Sequence, residues 1–104
     1  MADITIVYLS LSDLCQATQL PSETLIEITE EGIIEPIGSS PEDWEFSIQN
    51  VAIVQKAIRL HSDLEIDWPG IALAMSLLDD LEQLRGENQR LKQRLHRFTP
   101  QDEH

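Results

Sequence analysis

This sequence predicts a mainly α fold, in which a small helical body carrying a short two-stranded wing is followed by one long C-terminal helix. Three observations carry that prediction. Residues 11–31 repeat apolar side chains at helical spacing around Gln19-Leu20-Pro21-Ser22, the pattern of two short helices joined by a tight turn. Two β-branched and aromatic runs flank the loop-forming cluster Gly38-Ser39-Ser40-Pro41. Residues 77–98 then fill every seam position of a heptad repeat. The expected division is an acidic body over 1–66, a long helix with a coiled-coil stem over 67–98, and a flexible tail over 99–104.

Taken in order, Ile4-Thr5-Ile6-Val7-Tyr8-Leu9 reads as a strand, and Ser10 or Ser12 opens a helix in which Leu11, Leu14, Cys15 and Thr18 recur. Pro21 or Ser22 starts the second helix, with Leu25 and Ile28 facing inward and Gly32 supplying a left-handed stop. Ile33–Ile37 and Trp44–Ile48 form the two strands of the wing. Ser47 caps a third helix with apolar positions Val51, Val54, Ile58 and Leu60, running to about Leu64. Asp67 caps the fourth, where Pro69 sits in the first turn and its missing N–H costs little.

Along that last helix Leu77, Leu84, Leu91 and Phe98 lie seven apart, and Leu81, Asn88 and Leu95 fill the alternate positions. A seam of this kind predicts self-association as a homodimer. Asn88 costs stability relative to leucine, but a buried asparagine pair fixes register and partner number. Asp80 with Arg85, and Glu87 with Lys92, have the spacing of interchain pairs in a parallel dimer and equally that of ordinary surface pairs, so the partner's direction stays open.

The chain has 104 residues and a formal net charge of −12. Residues 1–84 hold sixteen acids against Lys56 and Arg59, while residues 85–98 hold five cations against Glu87. An acidic body with a basic stem opposes binding to nucleic acid or an anionic membrane, both of which need lysine and arginine, and points to a basic partner. The lone Cys15 can form no internal disulfide and reads as a buried, reduced thiol, which with the absence of a long apolar run suggests a cytoplasmic protein. Catalysis and cofactors are not expected. His61, His96 and His104 are scattered, and the adjacent Asp79 and Asp80 point about 100° apart on a helix, so they cannot act as an acid/base pair. His61 near Asp63 and Glu65 is read as part of a solvated acidic turn, not as a metal site.

The order of elements, with Leu11-Ser12-Asp13-Leu14-Cys15, Thr24-Leu25 and Glu31-Gly32-Ile33-Ile34-Glu35-Pro36, resembles the winged helix-turn-helix regulators of the MerR type. The departures matter as much. Where those regulators carry arginine and tyrosine after Thr-Leu, this chain has Ile26, Glu27 and Ile28, then Glu30 and Glu31; its wing reads Glu42-Asp43-Trp44-Glu45 in place of arginines. Carboxylates there repel phosphate, and without basic residues the helix lacks the charge attraction that supplies most DNA affinity. A narrower resemblance lies in Asp67-Trp68-Pro69-Gly70-Ile71-Ala72, Leu77-Leu78-Asp79-Asp80, Glu87-Asn88, Leu91 and Arg94-Leu95, which are similar to the CbpM family of chaperone modulators. That resemblance implies a MerR-like fold and binding to the J-domain of the DnaJ-like co-chaperone CbpA. It further implies inhibition of CbpA's work with the DnaK chaperone and of its DNA binding.

A J-domain presents a basic helix beside its His-Pro-Asp loop, so an acidic protein that covers it acts by occlusion. Two acidic clusters suit this role: Glu23, Glu27, Glu30 and Glu31 on the second helix, and Asp63, Glu65 and Asp67 at the joint of the third and fourth. Against each stands a plain solvated face. Trp44 and Phe46 are either interface anchors or an inward pair pinning the wing, and Trp68 reads as a staple between the last two helices. Two alternatives remain, a MerR-like DNA-binding transcriptional regulator and an adaptor for some other basic protein.

Overall fold

Ser10 opens the helical framework with a reciprocal cap: its Oγ accepts from the Asp13 N–H at 3.0 Å, and the Asp13 carboxylate accepts from the Ser10 N–H at 3.2 Å. Two of the donors that a helix start leaves open are thereby satisfied. The structure, a computed structural model, describes residues 7–98. Ile4, Thr5 and Ile6 of the expected first strand and the expected tail lie outside the described residues. The elements are β1 (Tyr8–Ser10), α1 (Leu11–Thr18), α2 (Ser22–Glu30), β2 (Glu45–Ser47), α3 (Gln49–Leu64) and α4 (Trp68–Phe98).

Local chemistry ends the first two helices in the same way. Gln19 turns left-handed with φ 59°, and its N–H and that of Leu20 both go to the Cys15 carbonyl. Gly32 does so at φ 80°, donating to Thr29 O at 3.0 Å while Ile33 donates to Ile28 O at 3.3 Å. This is the paired closure that releases a chain from a helix, and Gly32 supplies it without a Cβ penalty.

The wing differs from expectation. Ile33–Ile37 forms no strand; only Ile37 remains paired, exchanging two 2.9 Å hydrogen bonds with Glu45. Pro36 has no N–H to give a ladder and Ile34 is drawn into the core, so the segment cannot lie flat against β2. β2 pairs instead with β1, antiparallel, in the register Tyr8 to Ser47, Leu9 to Phe46 and Ser10 to Glu45. The tip of the wing rests on Gly38, which has φ 121° and where a Cβ would stand 2.7 Å from the Asp43 carbonyl oxygen. Gly38→Ala is therefore expected to destabilise the fold by about 1–3 kcal/mol, read as a melting temperature several degrees lower. An unchanged melting temperature would refute the left-handed tip.

The core consists of Leu14, Leu25, Ile28, Ile34, Phe46, Val54, Ala57, Trp68 and Ile71. On α3 the inward stripe is Asn50, Val54 and Ala57, with the expected Val51, Ile58 and Leu60 only half-buried, because the helix presents positions four and three apart to α1 and β2. Ser47 contributes at its start through an Oγ that accepts from the Gln49 N–H at 3.1 Å. Asp67 caps α4, its Oδ1 accepting from the Gly70 N–H at 3.2 Å. Trp68 stacks on His61 of α3 with ring centroids 4.1 Å apart and planes 13° apart, which joins the two helices as the staple reading requires.

The chain divides into two units after Leu73, inside α4 and not at its first residue, since Trp68 and Ile71 are buried in the first unit. The second unit continues α4 to Phe98 without a break at Gly86. No helix among the described residues is long and apolar enough to cross a membrane.

Candidate protein-interaction surfaces

α2 is amphipathic in the ordinary sense, with Leu25 and Ile28 buried and Glu23, Glu27 and Glu30 exposed at positions four and three apart. Glu31, four after Glu27, extends the same acidic row beyond the helix end. No lysine, arginine or histidine occurs before Lys56, so this half of the body is uniformly negative. Glu30 and Glu31 also stand at the negative end of the helix dipole, with no basic residue in the last turn. Each such placement costs about 0.3–1 kcal/mol, so the fold gains nothing from carboxylates at these positions.

The second cluster lies on a different element. Asp63 is exposed in the last turn of α3, Glu65 takes a left-handed conformation with φ 53° and donates its N–H to His61 O at 3.0 Å, and Asp67 is occupied as the α4 cap. A glutamate in the left-handed region is uncommon, and it holds this turn between two helices already tied by the His61 and Trp68 stack. That stack accounts for the His61 ring. Among the described residues no three His, Cys, Asp or Glu side chains are grouped to hold a metal ion. The sequence reading of His61 as one more residue of a polar turn missed its ring partner, although the seven-residue spacing to Trp68 across a helix joint was a usable signal.

The aromatic pair is separated by burial. Phe46 is fully buried, the largest side chain so placed, and meets Trp44 edge-on at 5.9 Å and 81°. As a contact residue Phe46 is corrected: it is opposite Leu9 in the sheet and belongs to the core, where truncation costs about 3–5 kcal/mol. Trp44 is half-buried. Cys15 is likewise half-buried, not buried, and desolvation, partly offset by a hydrogen bond to the backbone, pushes its thiol up, so it stays protonated and a poor nucleophile.

Within the second unit the heptad residues form an exposed apolar row, with Leu84 62% and Leu91 55% accessible and Asn88 between them. Leu84, Arg85, Glu87, Asn88 and Leu91 border a shallow groove on this face. Leu77, Leu81 and Phe98 are also exposed, and Leu95 lies in the same register.

A family model described as MerR HTH family regulatory protein matches residues 9–93. The chaperone modulatory protein CbpM of Pseudomonas putida is 48% identical over 98 residues, covering 94% of this chain and 97% of that protein. Its counterpart in Pseudomonas entomophila is 46% identical over 99 residues, 95% of this chain and 98% of that one. That of Salmonella newport is 43% identical over 98 residues, with 94% and 96% covered. The chain belongs to the CbpM family of chaperone modulators. Its MerR-type body carries a row of exposed glutamates on α2.

Proposed function

We propose that this protein is a non-catalytic, cytoplasmic modulator that binds the J-domain of the DnaJ-like co-chaperone CbpA and thereby inhibits its work with DnaK and its DNA binding. It acts as a homodimer joined through the seam of α4. The observation that carries the reading is the strongly acidic body of a chain in the CbpM family, with exposed carboxylates on α2 and at the α3–α4 joint. A basic helix on the J-domain is attracted to such a surface, and a protein seated there denies it to DnaK. No covalent step is needed, and no cofactor enters.

Titrating the protein with an isolated J-domain tests this. Saturable binding that weakens as salt rises is expected, because screening shortens the reach of the attraction. Absence of binding at low salt would refute the reading. The MerR-family match supports one other reading, DNA recognition. Sub-micromolar binding to random duplex at physiological salt would establish it in place of the first.

A further inference from the structure

Acidic residues alone steer a partner without holding it, because a stable interface needs an apolar centre inside its charged rim. On α2 the apolar residues face inward, so the helix offers charge and little else. The α3–α4 joint is different. Leu64 is 49% accessible, Ile66 39% and Leu73 61%, and they alternate with or follow Asp63, Glu65 and Asp67 along the chain. Ile66 lies against Gly70, where an added Cβ would come within 3.2 Å of its Cδ1, and Leu73 is three residues further along the same helix face. Leu73 precedes the heptad seam, which begins at Leu77, and lies in the first unit with Leu64 and Ile66. The turn itself is held in place by the left-handed Glu65, the Asp67 cap and the His61–Trp68 stack, which keeps the ordering cost of binding low.

We infer that Leu64, Ile66 and Leu73 form the apolar centre of the J-domain contact, rimmed by Asp63 and Glu65, while the α2 glutamates act at a distance as steering charges. The partner that fits is a cationic helix with aliphatic side chains between its charges. This inference rests on the J-domain reading above.

Ile66→Ser combined with Leu73→Ser in the full chain removes two of the three apolar residues of the centre at exposed positions and leaves every carboxylate in place. Affinity for the isolated J-domain is expected to fall about 30-fold, through faster dissociation, and lowering the salt should not restore it. In parallel, J-domain added to the unaltered protein should slow hydrogen exchange across residues 63–73, a readout that does not depend on the variant folding. A double variant that binds within about twofold of the parent, or protection confined to other segments, overturns the inference while leaving the J-domain reading intact. A parent protein that fails to bind refutes that reading itself. A variant that sediments as a monomer where the parent does not would assign the patch to a second copy of this chain, and this too overturns the inference.

Discussion

If α4 pairs through its seam as proposed, Leu84→Asp together with Leu91→Asp is expected to yield a folded monomer in sedimentation where the parent is a dimer. Both side chains are more than half exposed in the single chain, so their replacement removes no core contact and circular dichroism should still report a helical protein. In a paired seam the same carboxylates would be buried opposite their copies, at a cost of several kcal/mol per ion even after relaxation, against an association that has only a handful of leucine layers to draw on. Asn88 lies between the two substituted layers, so the change strikes the groove bordered by Leu84, Asn88 and Leu91. A dimer mass that survives the double substitution would move the interface into the body of the protein.

Glu27→Lys with Glu31→Lys is expected to slow association with the J-domain, and to slow it further as salt is lowered, because long-range attraction becomes repulsion. The fold should not suffer. Glu31 follows the last turn of α2 at the negative end of its dipole, where lysine is favoured over glutamate, and Glu27 is exposed. A binding defect in this variant therefore reports on the surface and not on unfolding. Reversing Asp63 and Glu65 provides the comparison: with charge next to the apolar residues of the joint, the loss should appear in dissociation as well as association. If both double variants bind within about twofold of the parent, electrostatics are not the basis of recognition, and the half-buried Trp44 becomes the residue to substitute next.

The elements set by local chemistry were legible before any fold was known. Ser10, Gly32, Asp67 and Pro69 act on backbone groups within a few residues of themselves, so cap, stop and first turn follow from composition and spacing. The heptad of α4 is equally local, since its period alone defines the face, and the acidic row on α2 follows from helical spacing once Leu25 and Ile28 are taken inward. Family membership was legible for the same reason, in a contiguous string at the start of α4. Partners distant in sequence were not. β2 found β1 and not the segment ending at Ile37, a choice made by the proline that cannot donate and by the burial of Ile34, and both act only when the chain is folded. Phe46 became core and Trp44 did not, although alternation gives them the same face, because only Phe46 stands opposite Leu9 in the sheet. Gln19 and Glu65 adopt left-handed turns without glycine, where the helices they end are held by packing strongly enough to impose the conformation. The sequence alone therefore determined the helices, the helix ends set by Ser10, Gly32 and Asp67, and the acidic sign of the α2 face, whereas tertiary structure decided the left-handed ends at Gln19 and Glu65, which strand pairs with which and which apolar side chains remain in water, because those outcomes depend on contacts between residues far apart in the chain.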